Sequence, residues 1–167
     1  MYALSVALDV RYPNIVDECY GAMIAMRSPG LLEPNFIHRE GCVSVLGYWK
    51  HWVCLFPQHG AGKKHERPIV LRNWQEDIAA ANAGPLLRGL IHSDGCRVIN
   101  RVRNGKTKKL YSYPRYQFSN RSNDIRGIFC KACDEFGIKW RVSNTYVISV
   151  SRGPDVAKLQ QIVGPKS

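Results

Sequence analysis

Residues 87–95 read Leu87-Arg88-Gly89-Leu90-Ile91-His92-Ser93-Asp94-Gly95, and the acid near the end of this run is the first candidate for chemistry. The preceding apolar spacing predicts a helix from about Trp74 to Ser93, which puts Asp94 at a helix C-terminus with Gly95 behind it. A carboxylate there meets the negative end of the helix dipole and is costly unless a cation offsets it. The plain alternative is that Asp94 only closes the turn after the helix. Gly89 and Ser93, four residues apart, leave a bare stripe along which another helix of the same kind can approach closely. His92 either donates to a phosphate or, more simply, sits as a surface imidazole.

Two predicted strands follow, Cys96 to Arg103 and Lys109 to Ser119, turning at Asn104-Gly105. Alternation puts Arg97, Ile99, Arg101 and Arg103 on one side of the first strand. In the second it groups Lys109, Tyr111, Tyr113, Arg115 and Gln117 against Leu110, Ser112, Pro114, Tyr116 and Phe118. The two basic sets are expected to share one face, and such a ribbon suits a DNA major groove, with Arg and Gln reading base edges and Lys binding phosphate. A solvated sheet face is the competing reading, and Pro114 warns of a bulge that shifts the alternation.

The elements that must hold these strands come as two copies. Ser119 to Gly137 carries Ile125, Phe129, Ala132, Cys133 and Phe136 at helical spacing, with Ser122 or Asn123 as cap and Gly137 as stop. Subtracting 110 from each apolar position gives Ile15, Cys19, Ala22, Met23 and Met26, the stripe of an earlier helix. A strand precedes each helix, Tyr2 to Val10 and Lys109 to Ser119. A strand pair follows each, near Asn35 to Arg39 with Cys42 to Leu46, and Ile138 to Val142 with Tyr146 to Ser151. A last helix closes each copy, near Trp49 to Phe56 and Asp155 to Val163. Carrying Leu86 back by the same 110 positions falls before Met1, so the expected organisation is a copy truncated at its N-terminus (1–56), a basic, Gly/Pro-punctuated linker (57–73) and a complete copy (74–167).

The balance of 24 Lys and Arg against 13 Asp and Glu gives a formal charge of +11 over 167 residues, a field that attracts a polyanion. No apolar run of membrane-spanning length and no signal-peptide pattern occurs, so a soluble, cytoplasmic protein without a membrane partner is expected. Six cysteines scattered among apolar neighbours read as reduced, mostly buried thiols. Cys130 and Cys133 have CxxC spacing, but they fall on a helical apolar stripe without the second pair a zinc site needs. His51, Cys54, His59 and His65 have no standard metal spacing. Phosphate-loop, nucleophile-elbow and HExxH motifs are absent from the sequence.

The run at 87–95 resembles the LAGLIDADG signature, matching at Leu87, Gly89, Leu90, Ile91, Asp94 and Gly95 and departing at Arg88, His92 and Ser93. The resemblance implies an α+β fold of two pseudo-repeats, each ordered helix, strand, strand, helix, strand, strand, helix. It implies a site-specific DNA-binding protein of the homing-endonuclease type that hydrolyses phosphodiesters with a divalent metal such as Mg²⁺ once the missing motif is supplied. Asp94 matches the family's metal ligand, and the departure at His92 does not remove it. Arg152 stands where the family often carries a basic residue near the reacting phosphate; Lys50 is the weaker equivalent in the first copy. Arg97, Arg101, Arg103, Lys109, Tyr111, Tyr113, Arg115 and Gln117 would contact double-stranded DNA. In double-repeat members two motif helices meet at a pseudo-twofold axis, so a lone motif helix is expected to expose a seam of Leu87, Gly89, Leu90, Ile91 and Ser93 and either to self-associate or to be poorly stable. Two rival readings are a non-cleaving DNA-binding regulator of the same fold and an RNA-binding, maturase-like protein. The chain ends without the His-Asn of a complete intein.

Overall fold

The computed structural model describes residues 1–103 and 105–166, and these form two compact units. The expected turn at Asn104-Gly105 lies partly outside the described residues, at Asn104. Unit 1 holds residues 1–59 with Pro165 and Lys166; unit 2 holds residues 60–164.

In unit 1, strand β1 (Tyr2–Asp9) leads to helix α1 (Pro13–Ala25), then to β2 (Asn35–Arg39), β3 (Cys42–Trp49) and the short α2 (Trp52–Leu55). The strands form an antiparallel sheet in the order β1-β3-β2. Pro13 opens α1, where its fixed φ and missing N–H suit a first turn. Val16 and Met23 of α1, Val43 and Val45 of β3 and Trp52 of α2 make the buried core. Ala22 and Met26, expected on the buried stripe, are exposed instead, because α1 turns Val16, Cys19, Tyr20 and Met23 toward the sheet.

Unit 2 contains α3 (Asn73–Ala81), α4 (Ala83–Asp94), β4 (Gly95–Arg103), β5 (Leu110–Ser119), α5 (Asn123–Glu135), β6 (Arg141–Asn144), β7 (Val147–Val150) and α6 (Gly153–Val163). Its antiparallel sheet runs β4-β5-β7-β6. The single helix expected over 74–93 is broken at Asn82. The Asn82 side-chain amide donates to Ile78 O at 3.0 Å, and in a continuous helix the Pro85 ring would meet the carbonyl four residues earlier. α5 starts where expected, with Ser122 Oγ accepting from Ile125 N, and stops at Gly137, whose φ of 61° favours glycine. Segment 60–72, expected as a linker, belongs to unit 2: Ile69 N donates to Asp124 Oδ2 at 2.6 Å. Helices α4, α5 and α6 cover one face of the sheet, where Leu87, Phe118, Phe129, Cys133 and Leu159 are buried and the Phe118 and Phe129 rings stack at 4.5 Å.

The chain is therefore α+β, with two antiparallel sheets and six α-helices among the described residues. β1-α1-β2-β3-α2 repeats β5-α5-β6-β7-α6 in order and in strand adjacency. Adding 110 to Pro13–Ala25 gives Asn123–Glu135, the bounds of α5. After the helices the offset shortens, and the second strand pair begins at Arg141 rather than Ile138. The described residues of unit 1 contain no counterpart of α4 or β4.

Candidate nucleic-acid interface

Asp94 is the last residue of α4 and Gly95 the first of β4, so no loop separates helix from strand. A Cβ on Gly95 would lie 2.7 Å from Ile91 Cα and 2.9 Å from Ile91 O, which leaves glycine as the residue that fits. This junction sets the exposed Asp94 carboxylate beside the sheet. Its Oδ2 accepts from Asn120 Nδ2 at 2.8 Å. Asn120 is itself fixed: its N donates to Tyr146 O at 3.0 Å, its Oδ1 accepts from Ser122 N at 2.9 Å, and its carbonyl accepts from the Arg126 guanidinium. Sequence reasoning missed Asn120, because nothing local marks a residue 26 positions from the acid it touches.

Other candidates fall differently. His92, expected at the surface, is buried on α4. Arg152 caps α6 with its side chain exposed, and its Nε lies 3.5 Å from Asp155 Oδ2; among the described residues no hydrogen bond or ion pair joins it to Asp94. Lys50 is exposed in the turn after β3. No cluster of three or more His, Cys, Asp or Glu among the described residues is disposed to hold a metal. Asp94 still fits a hard divalent cation that takes one carboxylate, several waters and substrate phosphate oxygens, because Asn120 occupies only one of its oxygens. Leu87 and Ile91 are buried in the core of unit 2, which corrects the expectation that they form an exposed seam; Gly89 and Ser93 remain exposed beside the partly buried Leu90. Two of the six free cysteines, Cys130 and Cys133, are buried, fewer than expected, whereas Cys54 and Cys96 are exposed.

The register of β4 and β5 overturns the expectation that their two basic sets share a face. Arg97 lies opposite Tyr116, Arg101 opposite Ser112 and Arg103 opposite Leu110, and directly opposed residues point to the same side. The three arginines thus lie on the side of buried Tyr116 and Phe118, toward the helices. The opposite, open face carries Cys96, Val98, Asn100 and Val102 from β4 and Tyr111, Tyr113, Arg115 and Gln117 from β5. On the same side Ser149, opposite Gln117, is buried, and the exposed Arg141 opposite Ser149 lies beyond it on β6. Asn100 Nδ2 donates to Tyr113 Oη at 2.6 Å on this face, and Lys109 Nζ lies 5.7 Å from the Tyr111 ring centre. Arg115 Nε is buried without a hydrogen-bond partner among the described residues.

Beyond Ile99 and Pro114 the two strands run on as a ribbon. Ile99, Arg101, Val102, Arg103, Leu110, Tyr111 and Tyr113 are all exposed, so both of its faces meet solvent. Arg101, Arg103, Lys106, Lys108 and Lys109 crowd this end. Charge is divided just as unevenly between the units. Residues 60–164 hold 19 Lys and Arg against 8 Asp and Glu, while unit 1 holds five of each. The whole net charge of +11 therefore belongs to unit 2.

No protein-family model matches the sequence, and no curated protein does. Solved structures do match in fold. One is the LAGLIDADG meganuclease I-AabMI bound to uncleaved DNA, with a TM-score of 0.56 and 9% identity over 96% of this chain and 73% of that one. Another is I-SmaMI bound to an uncleaved DNA target in the presence of calcium ions, with a TM-score of 0.54 and 10% identity over the same shares. The chain thus has the LAGLIDADG homing-endonuclease fold. No described helix is long and apolar enough to cross a membrane.

Proposed function

We propose that this chain is a site-specific double-stranded DNA-binding protein of the LAGLIDADG type, which reads its site with the open sheet face of unit 2. The observation that carries this reading is the set Asn100, Tyr111, Tyr113, Arg115, Gln117 and Arg141 on one uncovered face, continued by a two-stranded basic ribbon. A ribbon of this kind enters a B-form major groove, where Arg pairs with guanine and Gln or Asn with adenine. Arg101, Arg103 and Lys109, at the ribbon's end, serve phosphates on either side of the groove. The deep, narrow major groove of double-stranded RNA does not admit such a ribbon, which favours duplex DNA over duplex RNA as its ligand.

Asp94 is the acid assigned to cleavage. Asp94 would hold a divalent cation such as Mg²⁺, which would supply Lewis-acid polarisation of the scissile phosphate and a more acidic water. Asn120 keeps the carboxylate pointed away from the core and leaves its second oxygen for that use. Arg152, whose Nε lies 3.5 Å from Asp155 Oδ2, would stabilise phosphate charge with its remaining guanidinium N–H groups.

The rival reading is a non-cleaving DNA-binding regulator of the same fold. The test is a selection for bound duplexes from a random pool, followed by incubation of the selected site with the protein and Mg²⁺. Enrichment of one sequence supports the DNA-binding assignment, and absence of enrichment removes it. Cutting of the enriched site assigns the enzyme, whereas binding without cutting assigns the regulator.

A further inference from the structure

β1-β3-β2 of unit 1 and β5-β7-β6 of unit 2 are corresponding strands, so their open faces can be compared position by position. Two buried serines fix the rows. Ser44 lies opposite Ala7 and Ile37, and Ser149 lies opposite Gln117 and Arg141. Ala3, Ser5 and Ala7 of β1 therefore stand where unit 2 has Tyr113, Arg115 and Gln117, and Ile37 stands where it has Arg141. Leu4, Val6 and Leu8 pack on the core of unit 1, which leaves the small residues of β1 on the open side. Each replacement removes a means of reading a base. Tyr, Arg and Gln carry hydrogen-bonding groups on long side chains, whereas alanine and isoleucine carry none and a serine hydroxyl bonds to more than one kind of base.

We infer that base recognition by this chain is one-sided: the open face of unit 2 reads the duplex, and the open face of β1, β3 and β2 reads no bases. This rests on the DNA reading of unit 2 proposed above. The rest of the unit 1 face agrees with it. Tyr48 lies opposite Ala3, and Leu46 lies between Ser5 and Asn35, so the middle of the face is small or apolar. Its one arginine, Arg39, shares the Cys42 row with Asp9, an opposite charge on the same side. Attraction for phosphate is weak there as well, because unit 1 holds five basic and five acidic residues while unit 2 carries the whole net charge. One copy of the chain then specifies a single run of bases, not two related half-sites, even though its elements repeat.

The test uses the full chain and the duplex enriched from a random pool. Ile37→Ala, Arg39→Ala and Tyr48→Ala change exposed side chains of the unit 1 face. Each is expected to enrich the same sequence as wild type and to bind it within about twofold, whereas Arg115→Ala should lose about tenfold and relax the preference. Oxidative footprinting of wild type supplies a readout that needs no variant. Tyr48, Tyr111 and Tyr113 are all exposed in the free protein, and the duplex should shield Tyr111 and Tyr113 while Tyr48 is oxidised at its free rate. Shielding of Tyr48 to the extent of Tyr111, or a changed base preference in any of the three unit 1 variants, overturns the inference and leaves the reading of unit 2 standing. Failure of wild type to enrich any sequence removes the reading of unit 2 and the inference with it.

Discussion

The side-chain amide of Asn120 donates to Asp94 Oδ2 at 2.8 Å, joining the end of the first strand pair to the end of the motif helix. Both partners are placed by backbone. Gly95 allows α4 to run straight into β4, and the contacts of Asn120 with Tyr146, Ser122 and Arg126 leave its Nδ2 nowhere else to point. A carboxylate held in this way offers a fixed oxygen to a cation without needing a cage of further acids.

Where the chain cuts a selected duplex, alone or with the missing motif helix supplied, Asp94→Asn should abolish Mg²⁺-dependent cutting while leaving affinity measured in Ca²⁺ equal or improved, because a negative charge near phosphate is lost. Asn120→Ala should lower the cutting rate by about tenfold, near the worth of one hydrogen bond to a charged group, with binding unchanged. Cleavage assays beside anisotropy titrations separate the two effects, and cutting that persists in Asp94→Asn would remove the metal-ligand assignment.

The two faces of the β4-β5 ribbon should respond differently to substitution. Arg115→Ala and Gln117→Ala, on the open face, should each cost about 1–3 kcal/mol on the selected site and relax the sequence preference there. Arg101→Ala and Arg103→Ala should weaken binding to all duplexes and reduce the salt slope by about one each. Titrations across salt concentrations on cognate and scrambled duplexes check both, and equal loss on both duplexes for Arg115→Ala would take that residue out of the reading face.

Gly95→Ala should destabilise unit 2 by about 1–3 kcal/mol, since the new methyl meets the Ile91 backbone and not a flexible side-chain end. Gly89→Ala faces open space and should be neutral or slightly stabilising within the helix. Urea unfolding of the two variants makes the comparison.

Burial pushes the Cys130 thiol up to about 11 and the Cys133 thiol up to about 12, with Asp134 adding to both shifts. Because the folded values lie above the ordinary thiol value of 9.0, these thiols contribute stability that is complete below pH 9 and is lost as the pH rises through 11 to 12. At neutral pH a thiol reagent should label Cys54 and Cys96 quickly and Cys130 and Cys133 only on unfolding. Rapid labelling of Cys133 in the native protein would contradict its burial.

The sequence by itself determined the elements and their order wherever the signal is local. The apolar stripe with Ser122 as cap and Gly137 as stop places α5, and the 110-residue offset finds its twin α1. Asp94 before Gly95 marks the helix end that carries an acid. Alternation also sorted each strand correctly into two sides. Only the tertiary structure could decide which side of β4 matches which side of β5. That depends on register, and a one-residue difference in the intervening turn exchanges the faces of a whole strand, which moved Arg97, Arg101 and Arg103 away from Tyr113 and Arg115. Burial of His92, Leu87 and Ile91 was likewise settled by the packing of α5 and α6 around α4, and the Asn120 contact by chain closure over 26 residues. Local spacing encodes which face of an element is apolar; which neighbour covers that face is a long-range contact that a single sequence does not spell out.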